Sequence, residues 1–275
     1  MAFAPRAIPF DGEVEGLRVA LDGPVLRVTL ARPSKRNSLS REMVQGLVAC
    51  VENAPDDERI RVIALGGEGD HFCGGADWVA GNRGTERPRV GSIHRRTARE
   101  AHRLVHAMLT VQLPIVCRVR GWAAGIGCHL ALASDFALAA DGARFWEPFA
   151  KRGFTPDSGG TWLLPRLVGV ARAKQMLLLG REVTGTQAAG WGMIHGAHAA
   201  SELDAAADAL EAELASAATA DVGLTKYALA RSLELSFEQA LEVEAFALEL
   251  SSRSLDFKEG LAAFREKRDP DFAGR

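Results

Sequence analysis

Two glycine-rich turns and one acidic loop hold the residues of this chain best suited to chemistry. The first turn is Gly121-Trp122-Ala123-Ala124-Gly125-Ile126-Gly127-Cys128-His129-Leu130. It follows an apolar run, 114–119, and leads into 130–135, so the order reads as buried strand, glycine turn, helix. Glycine is favoured where backbone must approach a ligand closely or take positive φ. The first turn of a helix carries unpaired N–H groups and the positive end of the helix dipole. Such a turn can hold a phosphate, or an oxyanion formed during a reaction. Phe72-Cys73-Gly74-Gly75-Ala76-Asp77 is a second turn of the same kind. Asp157, within Gly153-Phe154-Thr155-Pro156-Asp157-Ser158-Gly159-Gly160-Thr161, offers a carboxylate that can remove a proton and return it elsewhere. Taken alone, it reads better as a turn residue ahead of Ser-Gly-Gly. His129 has two readings as well: a hydrogen-bonded structural residue, or an imidazole that assists proton transfer or bonds a polar ligand group.

Other chemistries find less support. The four cysteines, Cys50, Cys73, Cys117 and Cys128, include no CxxC pair, which argues against a zinc site and a disulfide framework and favours a reducing cytoplasm. No metal is expected. A formal net charge of −2 over 275 residues gives no support for nucleic-acid binding. No apolar run is long enough to span a membrane, and the first ten residues, broken by Pro5, Arg6 and Pro9, lack a signal-peptide core. Ser158 lacks the GxSxG elbow of a serine hydrolase. Gly125-Ile126-Gly127 lacks the third glycine of a dinucleotide fingerprint.

The elements that must position these groups alternate. Residues 17–21 and 25–30 flank Asp22-Gly23 as a hairpin, after an irregular lead-in over 1–15. Ser40 is a plausible N-cap for an amphipathic helix with Met43, Leu47, Val48 and Val51 on one face. Residues 60–65 read as a strand before the second glycine turn. Strands alternating with helices indicate an α/β fold. Residues 81–89 are polar and suit a loop, with Arg95, Arg96, Arg99 and Arg103 on a helix beyond. This stretch is a solvated face, or a lid whose arginines meet an anionic ligand. A helix is expected over 171–179, and further helices over 202–218, 224–235 and 237–253. Strands have stopped by then, so the chain divides into an α/β core over 1–205 and a helical part over 206–275.

Several separated segments, in order, resemble the crotonase (enoyl-CoA hydratase/isomerase) superfamily. Residues 32–40 look like its RPxxxNxLS segment, 72–77 like its FxxGAD turn, and 121–135 like its GxxxGxGxxLALxxD segment. Residues 153–169 look like the next signature, and 257–268 like the C-terminal one. The resemblance implies a spiral of ββα units with a C-terminal helical domain, assembled as a homotrimer or a dimer of trimers. It implies an acyl-CoA substrate, with no cofactor beyond the coenzyme A moiety. The backbone N–H groups of Ala76 and Ile126 fall where the family binds the thioester oxygen. One such donor is typically worth roughly 3 kcal/mol of barrier. Lys35, Arg36, Gly74, Phe264 and Lys267 fall at coenzyme A contacts, the last two near a subunit interface. Trp78, Trp146, Phe149 and Trp162 are expected to line the acyl pocket.

The two family glutamates that activate water in hydratases are absent: their positions hold His129 and Phe149, with Glu147 displaced by two residues. Asp157 falls where family isomerases have a lone acidic base. Residues 153–167 resemble the enoyl-CoA isomerases, those acting on ring epoxides of phenylacetate breakdown included. The expected activity is therefore double-bond isomerisation with Asp157 as base and His129 assisting. The alternatives are a hydratase with a non-standard acid/base set, or an acyl-CoA-binding protein without catalysis.

Overall fold

The computed structural model describes residues 12–77 and 89–275. In chain order the strands are β1 (Gly12–Val14), β2 (Leu17–Asp22), β3 (Val25–Leu30), β4 (Val62–Gly67), β5 (Ile115–Val119), β6 (Trp122–Ala124), β7 (Phe136–Ala140), β8 (Arg144–Trp146), β9 (Val183–Thr184) and β10 (Gly196–His198). The α-helices are α1 (Arg41–Asn53), α2 (Ser92–Arg99), α3 (Ala101–Thr110), α4 (Ile126–Ala133), α5 (Phe149–Arg152), α6 (Gly160–Leu177), α7 (Gly185–Gly190), α8 (Leu203–Ser216), α9 (Thr219–Ser232), α10 (Phe237–Ser251) and α11 (Leu255–Glu266).

The main sheet runs β1-β2-β3-β4-β5-β7-β10. The first three strands are antiparallel, and from β3 onward every pairing is parallel. The hairpin closes at Asp22↔Val25 around a Gly23-Pro24 turn, one residue later than the sequence suggests. The central strands are apolar runs, Val62-Ile63-Ala64-Leu65 and Ile115-Val116-Cys117, because the sheet is covered on both faces. One face buries Val28, Ile63 and Ile115 against Leu47 and Val51 of α1, Leu104 and Met108 of α3, and Leu130 of α4. The other receives α8, whose buried Glu211 accepts from Arg27 at 2.9 Å and Arg118 at 2.6 Å. The expected division at 205/206 falls inside α8, a helix that packs on β4, β5, β7 and β10.

A second, three-stranded sheet, β6-β8-β9, includes residues 122–124 of the first glycine turn, and Cys73 of the second turn bridges to Ala123. The α-helical tail, α9–α11, is tied back by Lys226, which donates to Asp135 at 2.7 Å and to the Leu113 carbonyl at 3.0 Å. Burial pushes the Asp135 carboxyl up and the Lys226 ammonium down, and their mutual contact opposes both shifts. The four cysteines are free and buried, and burial raises the Cys50 thiol to about 11 and the Cys73 thiol to about 12. No described helix is long and apolar enough to cross a membrane.

Three expectations shift. The lead-in includes β1, whose residues pair with β2 across the Glu15-Gly16 turn. The helix after the first glycine turn begins at Ile126, four residues earlier than the apolar run suggests. The helix expected over 171–179 begins at Gly160. It is interrupted at Gly169, which takes φ 74° and ψ 162°, and this break makes its first half read as a turn region.

Candidate active site

The two glycine turns are stitched together by backbone. Cys73 donates to the Trp122 carbonyl at 2.8 Å, and Ala124 donates to the Cys73 carbonyl at 2.9 Å. On the other side, Leu39 donates to Gly75 at 2.8 Å and accepts from Asp77 at 2.9 Å. This parallel bridge, Leu39↔Ala76, uses groups of Gly75 and Asp77 and turns the N–H of Ala76 to the opposite side. Gly125 takes φ 53° and ψ −121°, a conformation that favours glycine, and Ile126 then opens α4. Its N–H has no acceptor within a preceding helical turn. A Cβ on Gly127 would stand 2.6 Å from Cys73 Cβ, so the two turns meet without room for a side chain.

Ala76 and Ile126 border one cleft of about 300 Å³. Gly74, Gly75, Ala124 and Gly125 line it as well, together with Phe149, Phe154 and Asp157. Leu39 and Val44, with Ile93, Arg96 and Thr97 of α2, also line it. Four described carboxylates border it: Glu42, Asp77, Glu100 and Asp157. Asp77 pairs with Arg32 at 3.0 Å, and Glu100 with Arg41 at 2.5 Å. The backbone N–H of Glu42 in the first turn of α1, together with Ser40, holds the Glu42 carboxyl below the usual carboxylate range. Asp157 is different: its Oδ1 accepts from the Ser158 hydroxyl at 3.2 Å, and its backbone carbonyl meets His102 Nε2 at 2.7 Å.

His129 does not reach the cleft. It lies one helical turn deeper than Ile126, at 0% exposure, with Phe149 stacked on it at 5.9 Å and 10°. Its Nδ1 is 2.6 Å from Ser158 Oγ and its Nε2 is 3.1 Å from Glu147, itself at 0% exposure. The expectation that His129 contacts a ligand is therefore corrected: α4 is buried on every side, and this face is filled by protein. Cys128 also lies against Glu147, and burial with that carboxylate beside it pushes the thiol well above its ordinary range.

The expected acyl-pocket residues divide. Phe149 lines the cleft. Trp146 turns the other way, against Trp122 at 5.7 Å, with its indole N–H on the Gly180 carbonyl at 3.1 Å. The two-residue period of a strand separates it from the buried Phe145. Trp162 carries the Arg166 guanidinium over its ring at 4.0 Å and does not border the cleft. Trp78 lies outside the described residues. Of the expected coenzyme A contacts, Gly74 lines the cleft and its N–H bonds the Arg36 carbonyl at 2.7 Å. Lys35 and Arg36 project from the exposed turn beside it. Phe264, 84% exposed in α11, and Lys267, the residue just after it, do not line the cleft.

Sequence reasoning missed the His129 partners. Glu147 was visible as an acid near a family position, but its partner is eighteen residues away in the chain. It also left the arginine-rich helix open between two readings. Arg96 borders the cleft, as do Arg152 and the Arg41–Glu100 pair, whereas Arg103 is occupied by Glu52 at 2.6 Å.

The fold and this arrangement of turns have a known context. The chain belongs to the enoyl-CoA hydratase/isomerase family, which it matches over residues 21–275, and it is an enzyme of the crotonase superfamily. It is 37% identical to 1,2-epoxyphenylacetyl-CoA isomerase of Escherichia coli (strain K12), over 91% of this chain and 95% of that one. It is 31% identical to crotonyl-CoA hydratase of Syntrophomonas wolfei, over 89% and 92% of the two chains. The crystal structure of an enoyl-CoA hydratase from Bacillus anthracis superposes with a TM-score of 0.87 at 28% identity, over 95% of this chain and all of that one.

Proposed function

We propose that this enzyme moves a double bond within an acyl-CoA thioester. The Asp157 carboxylate removes a proton from the carbon next to the thioester carbonyl. The electron pair delocalises onto the thioester oxygen, where the N–H groups of Ala76 and Ile126 stabilise the developing charge. Asp157 then returns a proton further along the chain, and the double bond is left in its new place. One observation carries this reading. Asp157 shares a cleft with Ala76 and Ile126, while the two hydratase glutamate positions hold a sealed histidine and Phe149. No side chain at those two positions can hold a water over the substrate. The names of the relatives, an isomerase and a hydratase of CoA thioesters, support the substrate class.

The test offers the purified enzyme trans-3-hexenoyl-CoA and crotonyl-CoA in parallel. The expected result is conversion of the 3-enoyl to the conjugated 2-enoyl thioester, at least about a hundredfold faster than water adds to crotonyl-CoA. Preferred hydration, or binding without turnover of either, overturns it.

The assembly belongs to the same proposal. Leu229, Leu233, Phe237, Phe246, Leu248 and Phe264 are more than half exposed on α9–α11, a larger apolar area than a monomer ordinarily leaves in water. Other copies of the chain cover these faces, as a trimer or a dimer of trimers, and bring Phe264 and Lys267 toward a neighbour's coenzyme A. Light scattering behind size exclusion should give three or six chain masses; a monomer at micromolar concentration would refute it.

A further inference from the structure

Asp157 is held from behind. The Ser158 hydroxyl donates to its Oδ1 at 3.2 Å, Ser158 Oγ lies 2.6 Å from His129 Nδ1, and His129 Nε2 lies 3.1 Å from Glu147. Ser158, His129 and Glu147 are all at 1% exposure or less. Replacing a buried ion pair by apolar side chains of like volume is often neutral or stabilising, so stability is a weak reason for one here. The imidazole ring is fixed as well. Phe149 stacks on it, and Gly160 leaves room for it: a Cβ there would stand 2.3 Å from Nε2.

Counting protons gives these contacts a direction. A base ready to act is ionised, so Asp157 brings no proton to the Ser158 contact. The serine hydroxyl has one. If it pointed at His129, Ser158 Oγ and Asp157 Oδ1 would face each other with no proton between them. It therefore points at Asp157, and the 2.6 Å contact is made by Nδ1–H donating to Ser158 Oγ. The other proton of the His129–Glu147 pair lies between Nε2 and the carboxylate. The pair then has no net charge, as its burial demands. A further proton would leave a net charge sealed from water, so the pair orients Ser158 and does not take up the substrate proton.

Resting on the isomerase reading above, we propose that Ser158 is a positioning residue for Asp157 and that the buried His129–Glu147 pair aims its hydroxyl. The serine fixes Oδ1. Oδ2, which has no protein partner among the described residues, is left as the oxygen that removes and returns the proton. When the substrate C–H bond breaks, its electron pair enters the enolate, and its proton stays on Oδ2 until it is delivered to the distal carbon. The backbone carbonyl of Asp157, on His102 Nε2 at 2.7 Å, fixes the other end of the residue. A carboxylate held at both ends is kept from turning away from the substrate, and an ångström of misplacement can cost about a hundredfold in rate. Ser158, His129 and Glu147 do not line the cleft, so they touch no substrate and act through Asp157.

Kinetics and neutron diffraction test this. Ser158→Ala is expected to lower kcat for trans-3-hexenoyl-CoA by about tenfold, with KM within about twofold of wild type. In an Asp157→Asn background the same change should leave the residual kcat within about twofold, because no base remains to be positioned. A merely structural serine would give the same loss in both backgrounds. Equal losses, or an undiminished kcat in Ser158→Ala, overturn the proposal. Neutron diffraction from the wild-type enzyme at the pH of the assay needs no substitution. Deuterium is expected on His129 Nδ1, and on Ser158 Oγ toward Asp157 Oδ1. A bare Nδ1 overturns the proposal whether or not the variant folds. Absence of double-bond migration in wild type overturns instead the isomerase reading on which it rests.

Discussion

Asp157→Asn is expected to lower kcat for double-bond migration by about three orders of magnitude, with acyl-CoA affinity within about threefold of wild type. Asparagine keeps the shape of the side chain, and its carbonyl oxygen can still accept from Ser158, as Asp157 Oδ1 does at 3.2 Å. The loop is held through the Asp157 backbone carbonyl on His102, a contact the substitution leaves alone. The cleft floor, built from backbone of the two glycine turns, is likewise unaffected. What the amide loses is the ability to take up a proton. Stopped-flow conversion of trans-3-hexenoyl-CoA measures the first quantity, and calorimetric titration with a saturated analogue, hexanoyl-CoA, the second. The neighbouring carboxylates do not substitute: Asp77 and Glu100 are engaged by Arg32 and Arg41, and Glu42 is held ionised by the backbone N–H of its helix start and Ser40. Migration retained within tenfold of wild type would remove Asp157 from the mechanism.

The two turns behind that expectation are legible in the chain because they are local, whereas the role of Asp157 comes from the resemblance to family isomerases. Glycine spacing around 74–77 and 125–127 marks two tight turns, and the Pro156–Gly160 stretch marks an acid in a turn. The Ser40 cap was legible for the same reason, since the side chain and the Met43 N–H it accepts from lie three residues apart. Depth was not legible. Periodicity assigns a residue to a face of a helix, but α4 is buried on all its faces, so position alone could not distinguish a histidine in the cleft from one behind it. The contact of His129 with Glu147 and Ser158 depends on β8 and the start of α6 converging on α4, which no local pattern encodes. Tryptophans were misread for a related reason. Trp146 and Trp162 are apolar enough for an acyl pocket, but their rings are used against Trp122 and Arg166. The Gly169 break hid the first half of α6, because a left-handed glycine inside an apolar run looks like a loop.

The spacing between the two turns yields the second large effect. Gly127→Ala is expected to lower kcat/KM by about a hundredfold, as a displacement of about an ångström can when reacting groups are held in place. Stability should fall by about 1–3 kcal/mol, the usual cost of overpacking. The added Cβ would meet Cys73 at 2.6 Å from Cβ, 2.7 Å from the carbonyl oxygen and 2.9 Å from Sγ. Cys73 cannot retreat freely. Its N–H and carbonyl are both bonded to the first turn, to Trp122 and Ala124. Relief must therefore come from parting the 72–77 turn and α4, and these carry Ala76 and Ile126. Two donors aimed at one oxygen lose their convergence when their supports move apart. Gly142→Ala is the matched control, because a Cβ there meets nothing within 4 Å. Thermal unfolding of both variants, with kcat/KM on trans-3-hexenoyl-CoA, separates a loss of folded enzyme from a loss of alignment. Activity within threefold of wild type in a folded Gly127→Ala protein would mean that catalysis does not depend on how closely these two turns approach.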